Sequence, residues 1–360
     1  MKEIILLIFF LATLIGCTQN SSNKSTANAG NSIFFIDQPI TNSEHILDKG
    51  YNYALGFGKF NLQNDKLKIQ KTADILMNRI ELSGFSRENI KIKFQSNTLF
   101  FLFKDIKDYD KMRFLLCIQG KLEIWETYNN EEVIEKLIAA DKRLSEINSE
   151  NNNPAENLNE NSPTLAKFKR EHPLFFLLQP LVDQNGKDVP GPIVGKSLIK
   201  DTSKVMSYLH DERIKLVLAD NFKFAWTYKP VKGAVSVIQL IALKVTRKDN
   251  NAALYGNIIE EAKATYDQKG GESQYIVMKM TNEASKAFET LTEVNIGKSI
   301  AIAIDGDVCS YLTVQNKISN GNINITGDYN SLEIERFINV IQSGTLPNGI
   351  RITYEVVPPK

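Results

Sequence analysis

Apolar and polar positions recur along this chain with two periods, and the alternation between them orders its elements. Tyr51 to Phe60 reads as a strand in which Gly56 and Gly58 mark a close backbone approach or a bulge. Ile69, Ala73, Leu76 and Ile80 then share one helical face, which predicts a helix from Lys66 to Ser83 with Asn64 or Asp65 as cap and Gly84 as terminator. Ile90 to Phe94 alternates with period two, Ser96 and Asn97 turn the chain, and Leu99 to Phe103 returns as a hairpin partner. Asp108 caps a second helix that runs through Cys117, and Gly120 releases the chain into a strand from Lys121 to Glu126. The order is β-α-β-β-α-β, a ferredoxin-like split unit.

The same order returns near the C-terminus with one strand more. Gln274 to Met280 is a strand, Asn282 caps a helix to Thr292, and Ser299 to Ile304 meets Val308 to Val314 across Asp305-Gly306-Asp307. Asn322 to Thr326 adds a strand, Asn330 with Glu333 opens the helix Ser331 to Ser343 as a capping box, Gly344 closes it, and Ile350 to Val356 is the last strand. The expected fold class is therefore α+β: two ferredoxin-like β-α-β-β-α-β units with an inserted helical and loop-rich segment. The first unit is expected at 46–130, a charged helix and a linker rich in Asn, Glu and Ser at 131–165, the inserted segment at 166–250, and the second unit at 251–360.

Lys2, an unbroken apolar run from Ile4 to Ile15, and Gly16 before Cys17 have the form of an export signal at 1–16, too short to span a bilayer. Leu14-Ile15-Gly16-Cys17 resembles the lipobox of bacterial lipoproteins, which implies acylation on Cys17, and residues 17–45 then serve as a flexible tether. By the sorting rules of that class, Thr18 in place of aspartate argues for the outer membrane over the inner one. The expected location is the cell envelope, facing the periplasm, with the lipid anchor as the membrane contact.

With 42% hydrophobic and 24% charged residues the composition is that of a globular protein, and a formal net charge of +1 gives no electrostatic footprint for nucleic acid. Beyond Cys17 there are two cysteines, Cys117 and Cys309; each lies in an apolar run, and two inert core thiols are favoured over a disulfide.

The three histidines, His45, His172 and His210, lie in no metal or nucleophile pattern. Gly191 to Ser197 resembles a phosphate loop but has three residues between its glycines where four are needed, and Pro192 removes a backbone N–H. Asp305 and Asp307 could be drawn as an acid and a base, yet Asp-Gly between two alternating strands is ordinary hairpin geometry. Ser207, His210 and Asp211 share a helical stretch with nothing to bring them onto a pocket. No catalytic, cofactor-binding or metal-binding residue is assigned, no cofactor is expected, and the chain is expected not to be an enzyme.

Several motifs in order resemble the first periplasmic domain of the SecD/SecDF protein-export family. They are Ile75 to Ile80 with its Arg79 and the Gly84-Phe85 turn, Gly120 to Tyr128, and Asn295-Ile296-Gly297-Lys298 followed by the Asp305-Gly306 hairpin. Ile325 to Tyr329 and Ser343-Gly344-Thr345-Leu346-Pro347 continue the likeness, and Pro173 to Pro192 with Gly191-Pro192-Ile193-Val194-Gly195 is similar to the insertion of Bacteroidota SecDF. The proline-rich approach to the second helix is replaced by Ile106 to Asp110, and Asn348 and Gly349 stand where the family has prolines. The resemblance implies an accessory of protein export or envelope biogenesis that contacts emerging or unfolded polypeptide, with Sec translocon components as partners and no proton-driven motor of its own. The reading kept beside it is an interaction module docked on a membrane complex without substrate handling.

Overall fold

The computed structural model describes residues 46–150, 163–183, 185–219, 221–266 and 274–356. The expected signal segment, tether, Cys17 and His45, and most of the Asn-rich linker, lie outside the described residues.

In chain order the elements begin with β1 (Tyr53–Phe57), α1 (Lys66–Leu82), β2 (Ile90–Gln95), β3 (Thr98–Phe103), α2 (Tyr109–Cys117) and β4 (Leu122–Thr127). The middle of the chain supplies α3 (Asn130–Glu150), α4 (Pro163–Glu171), β5 (Gln179–Pro180), β6 (Ile193–Leu198), α5 (Thr202–Leu209), α6 (Glu212–Leu218), β7 (Phe222–Trp226) and β8 (Val237–Lys244). The last part holds β9 (Leu254–Tyr255), β10 (Ile259–Tyr266), β11 (Gln274–Met280), α7 (Asn282–Val294), β12 (Ser299–Ile304), β13 (Asp307–Thr313), β14 (Asn322–Ile325), α8 (Ser331–Ser343) and β15 (Ile352–Val356). The class is α+β, as the periodicity predicts.

The chain forms two compact units from interleaved segments. Unit I holds Ile124–Ala253 and Thr290–Lys317; unit II holds 46–123, Leu254–Glu289 and 318–356.

Unit II contains an antiparallel sheet in the order β15-β1-β3-β2, the split β-α-β-β-α-β arrangement with α1 and α2 in their expected places. The closing strand differs from expectation. β4, expected to complete this sheet, is paired elsewhere, and β15 from the C-terminus takes its place beside β1. A buried polar cluster explains the choice of strand: Glu355 on β15 accepts from the Tyr53 hydroxyl on β1 at 2.8 Å and from Arg113 on α2 at 2.6 and 3.1 Å. A carboxylate at that register satisfies a phenol and a guanidinium that burial would otherwise leave costly. The strands of the expected second unit likewise part company, β11 and β14 joining β10 in a three-stranded sheet while β12 and β13 enter unit I.

Three helices of unit II converge on Arg79, which is wholly buried. Its Nη1 donates to the carbonyls of Leu115, at 3.1 Å, and Ile118; Nη2 donates to Gln119 at 2.9 Å and Gly344 at 3.1 Å; Nε donates to the Ser343 hydroxyl at 3.0 Å. These acceptors lie at the C-terminal ends of α2 and α8, where helical carbonyls lack intrahelical partners and the macrodipole is negative. Gly120 borders the guanidinium with φ +80, and a Cβ there would fall 2.6 Å from Nη2. Only glycine meets both conditions.

Unit I is a sheet in the order β13-β12-β4-β8-β6-β5, with β7 also paired to β8. Helices α3 to α6 cover one face, burying Val133, Leu137, Val205, Ile214, Phe224 and Trp226 in one cluster. The opposite face buries Trp125, Ile241, Ala301, Ala303 and Val308. β4 is buried nearly throughout, which suits an interior strand covered on both faces.

Caps behave largely as read. Asp108 accepts from Lys111 N at 2.7 Å, and Asn330 with Glu333 forms the full capping box. Asp65 instead accepts from Asn61 N at 2.7 Å, and the expected cap at Asn282 is replaced by Thr281, whose hydroxyl accepts from Ala284 N at 3.3 Å. No disulfide joins Cys117 and Cys309; burial raises the Cys117 thiol pKa, which keeps it from the reactive thiolate. The β12–β13 turn has positive φ at both Asp305 (53°) and Gly306 (91°), the type I′ geometry expected of Asp-Gly.

Two outcomes follow. Arg79→Lys keeps the charge but loses the planar fan of donors, so it should lower unfolding free energy by about 3 kcal/mol or more, since several buried carbonyls lose their partners together. A urea melt within about 0.5 kcal/mol of wild type would show that the guanidinium is dispensable. Asp307, whose pKa is raised to about 6 by burial and then by neighbouring Asp305, contributes stability that is complete below the ordinary aspartate value and lost as pH rises through about 6. Asp307→Asn should therefore match wild type near pH 4 and become progressively more stable relative to it towards pH 7; a constant offset across that range would contradict the assignment.

Candidate functional site

Unit I holds a cleft of about 430 Å³ at one end of its sheet. Tyr128, Glu132, Pro192, Lys298, Ser299 and Thr313 line it. The cleft brings together three stretches that the sequence alone joins only by resemblance: Gly120 to Tyr128, Gly191 to Gly195, and Asn295 to Ser299.

Local capping chemistry fixes its wall. Glu132 accepts from Asn129 N at 2.7 Å while Asn129 Oδ1 accepts from Gly191 N at 2.6 Å. Asn130, fully buried, returns the tie: its N donates to Gly191 O at 2.7 Å and its Nδ2 to the carbonyls of Leu181 and Val189 at 2.9 and 3.2 Å. On the opposite wall the Thr127 hydroxyl donates to Ser299 O at 2.8 Å. Asn129 and Asn130 were not legible as positioning residues. An Asn followed three residues later by Glu at a helix start, a capping box, is the signal that marks the first of them.

Several polar side chains of this cleft are engaged within the structure itself. Ser299 Oγ and Thr313 Oγ1 face each other at 3.4 Å, so the hydroxyls engage one another across the strands instead of a base. Glu132 is committed to the cap. Burial raises the Tyr128 pKa and keeps the phenol protonated, and its ring stacks on Phe222 at 4.2 Å.

The other candidate residues are separated by the fold. Gly191 and Pro192 border the cleft, but Ile193–Leu198 is β6, with Gly195 and Lys196 paired across the sheet to Leu240 and Gln239, so no phosphate-cradling loop forms. Ser207 donates to Lys204 O, and Asp211 caps α6 and pairs with Arg213 at 2.6 Å, which holds its pKa at about 2. His210 has a lowered pKa, from burial first and Lys215 second. His172 Nδ1 meets Asp141 at 2.8 Å, while the other carboxylate oxygen accepts from Leu174 N and Phe175 N at 2.8 and 3.3 Å. Burial raises the Asp141 pKa in spite of these bonds. The arrangement pins the turn after α4 onto α3. Gly56 is a close-approach glycine, since a Cβ there would sit 2.7 Å from the Phe100 ring. Among the described residues no group of three His, Cys, Asp or Glu side chains is placed to hold a metal, and no helix is long and apolar enough to cross a membrane.

Comparison with known proteins gives a consistent picture. Residues 241–348 match the SecDF P1 head subdomain. The protein translocase subunit SecD of Rhodothermus marinus is 28% identical over 184 residues, 51% of this chain and 28% of that protein. SecD of Acidaminococcus fermentans is 33% identical over 104 residues, 29% of this chain and 24% of that protein. The chain thus spans about a quarter of the length of these curated relatives. A crystal structure of SecDF in a super-membrane-facing form aligns over 98% of this chain and 34% of that one, at 16% identity and a TM-score of 0.47. By its head-subdomain match and its likeness to SecD sequences, the chain is similar to the SecD/SecDF family over part of its length.

Proposed function

We propose that this chain is an export accessory that contacts emerging or unfolded polypeptide in the periplasm. The observation that carries the reading is the match of residues 241–348 to the SecDF P1 head subdomain, in a chain that also resembles SecD over about half its length. The fold supports it physically. Sheets that end in open strands offer main-chain hydrogen bonds to an extended partner of any sequence, which is the kind of contact that a carrier of many clients needs. The chain acts without catalysis, beside components of the Sec translocon. Acylation of Cys17 tethers it to the envelope, with the outer membrane favoured over the inner one.

Two measurements test this reading. Titration of a labelled, reduced and unfolded periplasmic protein should give binding in the micromolar range, about −8 kcal/mol, with the folded form of the same protein as control. Equal or absent binding to both forms would move the chain to the class of docking modules that handle no substrate. Cys17→Ala should shift the protein from the membrane fraction to the soluble periplasm, and an unchanged soluble distribution in wild type and variant would reject the anchor.

A further inference from the structure

The four-stranded sheet of unit II ends in β2, which among the described residues has a neighbour on one side only. Its hairpin with β3 turns through Ser96 (φ 50°) and Asn97 (φ 62°), a two-residue type I′ loop closed by the pair Gln95↔Thr98. In an antiparallel ladder the bonded pairs then alternate, so Gln95, Lys93 and Lys91 exchange bonds with Thr98, Phe100 and Leu102. The N–H and C=O groups of Ile90, Ile92 and Phe94 point away from the sheet. The Ile90 N–H turns back to the Arg87 carbonyl, so Ile92 and Phe94 form a row of two donor and acceptor pairs without partners among the described residues.

Side chains at this edge are sorted by charge. Lys91 and Lys93 lie on one face and reach the same carboxylate, Asp48, at 2.6 and 3.4 Å, and Lys93 also donates to Ile46 O. Two ammonium groups share one carboxylate, so this face keeps an excess positive charge. On the other face Ile92 is 39% exposed between Ile90 and Phe94, which pack on the core. The edge strand β10 of the second sheet is different. Glu260 pairs with Lys279 at 2.9 Å, Glu261 with Lys263 at 3.6 Å, and Gln342 on α8 takes the Ala262 carbonyl. Balanced ion pairs and a bound carbonyl guard that edge, whereas β2 is charged with one sign.

Resting on the reading that the chain handles extended polypeptide, we infer that the β2 edge is its strand-addition site and selects segments in which acidic residues alternate with apolar ones. A strand laid beside β2 has the same period of two, so one set of its side chains falls beside Lys91 and Lys93 and the other beside Ile92. Carboxylates complement the first set and apolar groups the second. A second copy of this chain is a poor occupant, because antiparallel β2 strands would bring lysines against lysines.

The test uses the mature protein and two short labelled peptides, one alternating valine with glutamate and one alternating valine with lysine, followed by fluorescence anisotropy. Wild type should bind the glutamate peptide at least about tenfold more tightly than the lysine peptide. Ile92→Pro removes an N–H that the ladder with β3 does not use, so it should melt cooperatively with a native circular dichroism spectrum yet lose the glutamate peptide. Asp48→Asn, which raises the excess positive charge, should tighten binding of the glutamate peptide in low salt. Equal affinity for the two peptides, or unchanged binding by Ile92→Pro, would overturn the assignment. So would a dilution-sensitive dimer abolished by Ile92→Pro, which would make a second copy the occupant. Unfolded-protein binding that survives Ile92→Pro would reject the edge and leave the export reading standing. Selective peptide binding in a chain that ignores unfolded proteins would reject the export reading and leave the edge.

Discussion

The Arg79 guanidinium is the constraint on which unit II is built. A buried cation is expensive unless its hydrogen bonds are met, and here they are met largely by main-chain carbonyls at the ends of two helices, those of Leu115, Ile118 and Gln119 in and just after the last turn of α2 and that of Gly344 after α8. Those carbonyls are themselves groups that a buried helix end leaves without partners. Each side of the contact answers the desolvation cost of the other. The geometry then fixes neighbouring choices: Ser343 supplies the acceptor for Nε, and Gly120 must lack a side chain because a Cβ would occupy the space of Nη2. Ser343 and Gly344 lie more than 260 residues from Arg79 in the chain, so this contact also ties the C-terminal segment to the first helix.

A second buried polar cluster decides which strand completes the sheet beside β1. Tyr53, Arg113 and Glu355 come from a strand, a helix and the C-terminal strand, and all three meet at one carboxylate oxygen. Apolar packing alone would accept many registers, since a shift of two residues along a strand keeps its apolar face inward. A carboxylate that must meet both a phenol and a guanidinium accepts one. Burial accordingly raises the Tyr53 pKa, with Glu355 next among the causes, and keeps the phenol as a donor.

Local elements were legible in the sequence because local signals make them. The face Ile69-Ala73-Leu76-Ile80, the Asn330–Glu333 capping box, the Asp305-Gly306 turn and the positive-φ glycines at Gly84, Gly120 and Gly344 each act within a few residues, and each appears where the pattern places it. Strand partnership was not legible. β4 and β15 are both short buried strands that follow a helix and a glycine, so period and turn chemistry treat them alike, and the difference lies in Glu355 finding Arg113. The candidate cleft shows the same limit. Its three stretches are separated by tens to hundreds of residues, and only the fold shows Asn129 and Asn130 holding Gly191 beside Lys298 and Ser299.

The interleaving of the units bears on how any function can be carried over from relatives. The stretch 241–348 that matches the SecDF P1 head subdomain enters within β8 of unit I, passes through β10 and β11 of unit II, returns to unit I with β12 and β13, and ends beyond α8 in unit II. It is continuous in sequence and divided between two cores. Substitutions within it therefore report on the stability of whichever core their strand joins: Ile302 on the sheet of unit I, Ile276 and Phe337 in unit II. Residues outside it, Arg79 and Tyr53 among them, hold up α8 and the C-terminal strand. Function cannot be assigned to the matched stretch as though it were a separable module. The inference has to be made surface by surface, which is why an edge strand with a defined backbone register and a defined charge is a stronger basis for it than the sequence match alone.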